Sequence, residues 1–515
     1  MFQNVQKKRI GRNKFDLSHE VKMTASMAKL YPFYIQETVP GDKIRINSEI
    51  FIRFAPMLAP VMHRIDVYTH YFFVPNRLVW DEWEDFITGG RQGDLEPAWP
   101  SILIEEATKG WANKKSLADY MGIPIVEDGV TVSQDMRFSA LPFRAYQLIY
   151  NEYYQDQNLM DEITISKASG SVDPEDLPDL MALRTKCWEK DYFTSALPWA
   201  QRGDPANMPL EPIYRDVATV TNGAGQGPAP NQNLSVADGV GNLSGDTTGP
   251  AGIQNIEEMG FEINDLRKAV RLQEWLENTA RAGSRYIEQI LSHFGVRSSD
   301  SRLQRPEYLS GGKTPVSISE VLQNSATIVD GGEPHANIPP SPQGNMAGHG
   351  IAVGKSHGCK RSFEEHGLII GIMSILPRTA YQQGLHKLWS RSTKFDYYWP
   401  EFANLGEQQI HNKEVYFDFA GATAQAEQTF GYTSRFSEYK YANSRVCGDF
   451  RDNLAYWHLG RIFEATPALN AEFVEADPST RIFNVTDPTE DPLWVQVYHK
   501  VDALRPMPYY GTPTL

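Results

Sequence analysis

The sequence predicts a mainly β chain, a sandwich of strands interrupted by one very long insertion of helix and loop. Three observations predict it. Residues 43–54 and 64–74 alternate apolar and polar with period two, as half-buried strands do. Strand-like runs return only late, at 366–375, 413–419 and 493–501. Strands so far apart must pair to bury their apolar faces, which leaves roughly 290 residues between them as insertion.

The first run, KIRINSEIFIRF, places Ile44, Ile46, Ile50, Ile52 and Phe54 on one face, with room for a bend near Ser48. Lys43, Arg45, Asn47, Glu49 and Arg53 share the other face, and Pro56 and Pro60 end the strand. The second run puts Ile65, Val67, Tyr71 and Phe73 on one face before Pro75 and Asn76 stop it. A helix follows, with Trp80, Trp83 and Ile87 at i, i+3, i+7 and Gly89–Gly90 closing it. A second helix over 141–158 has Pro142 in its first turn and a stripe of Phe143, Tyr146, Ile149, Tyr150 and Tyr153. A third spans 264–282, capped by Asn264, with Leu266, Ala269, Val270, Gln273 and Leu276 on one face. Gly283 breaks it, and Tyr286, Ile287, Ile290, Leu291 and Phe294 mark a further helix. Residues 217–255 and 329–358 read as loops; the first holds eight Gly, three Pro and no aromatic, Lys or Arg.

A chain of 515 residues is long enough for about three domains, or one with large insertions. Its 49 Lys and Arg against 64 Asp and Glu leave a net charge of −15, which argues against coating nucleic acid with the whole body. Hydrophobic residues at 41% and charged residues at 22% exclude wholesale disorder. No apolar run approaches the ~18 residues of a membrane span; Leu368–Leu376 is half that length. The opening MFQNVQKKRIGRNKF has no apolar core, so no signal peptide is expected. Cys187, Cys359 and Cys447 are an odd number without a CxxC, which fits a reducing compartment. Aromatics reach 11%, enough for a large core or for extensive interfaces.

No catalytic constellation emerges. GGKT at 311–314 and GKS at 354–356 have Glu307 and His349 where a phosphate loop needs its first glycine. His349, His357, Cys359 and His366 match no zinc spacing. Acidic pairs such as Glu105/Glu106 and Glu364/Glu365, with many Trp and Tyr, define the rival reading, a carbohydrate-binding or hydrolytic β-sandwich. Particle size separates that rival from a structural protein. No enzyme, metal or cofactor is expected. The one clear charge asymmetry is the N-terminal arm, where Lys7, Lys8, Arg9, Arg12 and Lys14 precede the first acid, Asp16. Such an arm is a candidate phosphate contact or a solvated terminus.

Long segments resemble the major capsid protein of the microvirus family of small single-stranded DNA bacteriophages, in its gokushovirus branch. They include DLSHEVKMTASMAKLYPFYIQETVPGD (16–42), HYFFVPNRLVWDEWEDF (70–86), LPFRAYQLIYNEYYQDQNL (141–159) and FTSALPWAQRGDP (193–205). SHFGVRSSDSRLQRPEYL (292–309), SFEEHGLIIGIMSI (362–375), the run 381–417 and the tail RPMPYYGTPTL (505–515) continue it in order. The resemblance covers almost the whole chain, except 217–255 in detail and much of 425–490.

It implies an eight-stranded antiparallel jelly roll with large helical and loop insertions. On that expectation 1–42 is arm and lead-in, 43–75 holds the first strands, 76–365 is insertion and 366–515 holds the remaining strands and tail. It further implies sixty copies in a T = 1 shell around circular single-stranded DNA, with two-, three- and five-fold contacts. Expected partners are a small basic DNA-binding peptide, a scaffolding protein and a host cell-surface receptor, with assembly in the host bacterial cytoplasm and residence in the virion. Gly223, Gly225, Gly227, Asp238, Gly241 and Asp246 of the 217–255 loop are expected in a surface protrusion that contributes to host attachment.

Overall fold

In the computed structural model, which describes residues 11–90, 94–201, 235–236, 243–244, 263–282, 304–322, 346–421, 423–484, 487 and 490–510, two antiparallel sheets face each other. The strands that matter are β1 (Asn13–Asp16), β2 (His19–Ala25), β3 (Tyr31–Thr38), β4 (Lys43–Phe54), β5 (Ile65–Pro75), β6 (Glu307–Pro315) and β7 (Ser317–Leu322). After them come β8 (Met346–Lys355), β9 (Cys359–Ser362), β10 (Gly367–Pro377), β11 (Glu407–His411), β12 (Thr429–Ser434) and β13 (Leu493–Arg505).

The larger sheet runs β1–β13–β4–β8–β7. β2 continues the β1 edge along β13, and β9 continues the β8 column along β4. The smaller sheet runs β6–β5–β10–β3. Their facing sides share one core, in which Ile44, Ile46, Ile50, Ile52, Val495 and Val497 meet Phe33, Val67, Tyr71, Phe73, Ile369 and Met373. The expectation of a mainly β chain with antiparallel sheets and helices is met.

β4 carries the predicted alternation: every even residue from Ile44 to Phe54 is buried. β5 differs from its one-faced reading. Its odd residues enter the shared core, while Phe72 and Val74 are buried on the other side. There the insertion packs on the smaller sheet through helix α2 (Leu141–Ile149), extended by a π turn at Tyr150–Tyr154. Phe143, Tyr146 and Ile149 of α2 join Phe72, Val74, Ile370 and Ile372 in a second core. Arg144 is buried at 2% exposure and donates to the carbonyls of Val79 (3.0 Å) and Ala168 (2.9 Å). The first predicted helix is shorter than expected, α1 at Trp83–Thr88 after a 3₁₀ turn; Gly89 closes it at φ +76°.

Three readings need correction. Residues 413–419 are not a strand: Asn412–Val415 is a helical turn, and Glu414 accepts the His411 backbone N–H (3.1 Å) in a capping box. Val415, Phe417 and Phe419 imitate a strand by alternating, yet Phe419 is 93% exposed. Residues 346–355 lie within the 329–358 loop reading but form β8. Their glycines reflect close packing, since a Cβ on Gly354 would lie 2.4 Å from the Thr314 side chain and one on Gly350 3.0 Å from Phe54. Residues 13–38, read as arm and lead-in, carry β1, β2 and β3. β6 to β9 likewise fall inside the 76–365 stretch read as insertion.

A polar network sits within the shared core where β8 gives way to β9. Ser48 Oγ lies 2.6 Å from the Tyr71 hydroxyl and 2.7 Å from His499 Nδ1, and Tyr71 reaches Ser356 Oγ at 3.1 Å. His499 Nε2 lies 2.9 Å from the Phe33 carbonyl, which only accepts, so Nε2 carries the proton and Nδ1 accepts from Ser48. Burial, first, and then neighbouring His19 lower the His499 pKa to about 4.

Residues 201–296 form a separate unit. Its helix α3 (Ile263–Ala282) begins one residue before the predicted cap Asn264, and Val270, Leu272 and Trp275 are exposed. Ser235–Val236 pairs antiparallel with Leu243–Ser244. The helix expected after Gly283 lies outside the described residues, as do Gly223, Gly225, Gly227, Asp238, Gly241 and Asp246.

Candidate assembly surface

Between β10 and β11 the chain carries six aromatics from Trp389 to Phe402. They do not alternate and build no sheet. Three short 3₁₀ turns at Lys387–Trp389, Lys394–Asp396 and Pro400–Phe402 fold the segment instead. Local hydrogen bonds consume its polar groups. His386 Nδ1 accepts from the Leu388 N–H (3.1 Å), and Asp396 accepts from the backbone N–H groups of Thr393 (2.7 Å) and Ser392 (2.9 Å). Those two bonds hold the Asp396 carboxyl below its usual pKa. Trp399 Nε1 donates to the Lys394 carbonyl (2.8 Å).

The rings between these turns face water. Trp389 is 70% exposed, and Phe395, Tyr397, Tyr398 and Trp399 are each about half exposed. Tyr439 and Tyr441 extend the surface from the turn after β12. One buried cation anchors it. The Arg391 guanidinium lies 4.3 Å from the Tyr439 ring centre and 5.3 Å from that of Tyr397, and pairs with Glu438 at 3.5 Å. Glu438 in turn accepts from Gln408 of β11 (2.7 Å).

Aromatic side chains have few rotors, so rings left in water lose little entropy when covered. Interfaces are enriched in such aromatics, and large exposed apolar patches mark them. The surface offers contact area. The acidic pairs weighed from sequence are bound locally, Glu106 to Lys109 (2.6 Å) and Glu365 to Arg77 (2.7 Å). GGKT lies in β6, where a Cβ on Gly312 would collide with the His357 ring. Among the described residues no three His, Cys, Asp or Glu side chains group as metal ligands. No described helix is long and apolar enough to cross a membrane.

Of the arm residues, Lys7, Lys8 and Arg9 lie outside the described residues. Arg12 is exposed, and Lys14 sits on β1 and pairs with Asp502 of β13 at 2.7 Å. The aromatic surface was missed from sequence. Its signal was local aromatic density, visible only as part of the overall excess.

A two-sheet antiparallel sandwich that leaves a cluster of aromatic rings in water has the make-up of a protein that packs against neighbours. Residues 3–515 match the family described as "Capsid protein (F protein)". Capsid protein VP1 of Bdellovibrio phage phiMH2K is 38% identical, over 98% of this chain and 95% of its own length. That of Chlamydia phage 1 is 34% identical over 100% and 97%, and that of Spiroplasma virus 4 is 29% identical over 98% and 96%. The chain belongs to this phage capsid family. Its role is structural rather than catalytic, and its place is the virion.

Proposed function

We propose that the chain is the major shell protein of a small single-stranded DNA phage, sixty copies closing a T = 1 icosahedral shell around a circular genome. The observation that carries this reading is the capsid-family match over residues 3–515. The exposed aromatic surface at 389–402 supports it, because a shell protein needs apolar faces for its neighbours. The two packed antiparallel sheets support the eight-stranded jelly roll: β2–β13–β4–β8 in the larger sheet faces β3–β10–β5–β6 in the smaller, with β1, β7 and β9 as additions to the larger.

In this reading the arm with Lys7, Lys8, Arg9, Arg12 and Lys14 faces the interior and meets phosphates. Five charges neutralise a small part of a genome, so a basic peptide or small cations supply the rest. The Gly-rich 217–255 segment lies outside, in a protrusion that takes part in receptor attachment. Assembly proceeds in the host cytoplasm with a scaffolding protein.

Sedimentation with electron microscopy tests the reading. Sixty chains of 58.2 kDa give uniform particles of about 3.5 MDa. A chain that stays monomeric when expressed with its phage's other proteins contradicts it.

A further inference from the structure

Among the described residues nothing covers the outward face of the larger sheet, and it is basic, in a chain whose net charge is −15. Odd residues of β4 and even residues of β13 point away from the core. Strand register places Trp494 opposite Arg53, Phe51 opposite both Gln496 and Val353, and Tyr498 opposite Glu49. Trp494, Phe51 and Tyr498 are therefore successive diagonal neighbours, about 7–8 Å apart. They are 47%, 39% and 39% exposed.

The charges around these rings do not cancel. The carboxylates of Asp502, Glu20 and Glu49 pair with Lys14 (2.7 Å), Lys22 (3.5 Å) and Lys355 (3.2 Å). Asp16 accepts from the Ser18 backbone N–H at 3.0 Å but keeps its charge, with Lys14 and Lys500 near it, so it offsets one of the cations that follow. Lys43, Arg45, Arg53, Lys360 and Lys500 then remain, all exposed, with no ion pair among the described residues. Lys14 lies on this same face through β1.

We propose that this face binds single-stranded DNA, with Trp494, Phe51 and Tyr498 stacking on bases and Lys43, Arg45, Arg53, Lys360 and Lys500 meeting phosphates. The inference rests on the capsid reading and adds which wall of the subunit looks at the genome. Single strands offer ring faces and phosphates together, and stacking needs no particular sequence. A neighbouring acidic chain could satisfy the cations but would leave the ring diagonal without partners of matching spacing. The smaller sheet cannot serve, because its outer face is already covered by α2.

The test uses the full chain and a fluorescein-labelled thirty-nucleotide oligo(dT), with affinity measured from low to high salt. The variant R45Q/R53Q/K500Q changes three outward side chains that leave the core untouched. Each lost phosphate contact removes about 0.7 from the salt slope, so the slope falls by about 2. W494A weakens binding several-fold, and W494F restores most of it. An unchanged slope together with unchanged W494A affinity overturns the proposal.

A second arm needs no variant. Filled particles grown with iododeoxyuridine and irradiated should cross-link the genome to residues 43–54 or 493–505. Cross-links confined to other segments overturn the proposal, as does amine cross-linking of Lys43 or Lys500 to a second protein chain in filled particles. Shell formation is scored separately by sedimentation. Wild-type protein that fails to form shells strikes the capsid reading, while the oligonucleotide result stands by itself.

Discussion

The two sheets treat their outer faces in opposite ways. β5 and β10 of the smaller sheet are buried on both sides, because α2 and its neighbours lie across them. β4 and β13 of the larger sheet alternate strictly between core and water. A strand covered on both sides spends all its side chains on stability. A strand covered on one side keeps half of them for something else, and in this chain that half is aromatic and basic. The difference separates what holds the subunit together from what is left for partners.

Substitutions should divide along that line. The largest loss is expected under the covered sheet. Phe143→Ala removes a ring that is 1% exposed and should cost about 3–5 kcal/mol by chemical denaturation. A loss near zero would mean that α2 does not hold the smaller sheet.

Acid should act next, through the network between the sheets. His499 has a folded pKa of about 4, below the ordinary 6.5, so between those values the unfolded chain binds more protons. Stability is therefore full above about pH 6.5 and is lost as pH falls toward 4. His499 alone is worth about 3 kcal/mol at most over that window. His63 and His70, each also lowered to about 4 mainly by burial, add in the same direction. Denaturation midpoints measured between pH 7 and 4 check this, and a flat profile would show that these histidines protonate freely.

Arg144→Met should cost about 2 kcal/mol, because the Val79 and Ala168 carbonyls lose their donor in a buried place. Phe51→Ala on the bare face should stay within ~0.5 kcal/mol of wild type. If Phe51→Ala proved as costly as Phe143→Ala, the contrast between the two faces would collapse.

The same contrast decides what could be read from sequence. β4 and β13 were legible because water on one side imposes period two on their residues. β10 was legible as an apolar run. β5 was placed correctly but given one face, since a second buried face hides the alternation under Phe72 and Val74. β8 was hidden by glycines that serve close packing against Thr314 and Phe54. The 413–419 error has the reverse cause: Val415, Phe417 and Phe419 alternate, but the capping contact from Glu414 to His411 wins locally. The Trp389–Phe402 surface could not be found by periodicity at all. Its rings point outward from 3₁₀ turns, and neither core nor sheet imposes a pattern on them. Family and structural role were carried by long matching segments rather than by any single motif.

Hydroxyl-radical footprinting of the free chain and of assembled particles, read by mass spectrometry, tests the structural role of the aromatic surface most directly. Trp389, Tyr397, Tyr398 and Trp399 are exposed in the single chain and should oxidise readily there. Assembly should protect them strongly, while buried Tyr146 stays unoxidised in both states. Equal oxidation of these four residues before and after assembly would contradict the claim that they form a contact between copies.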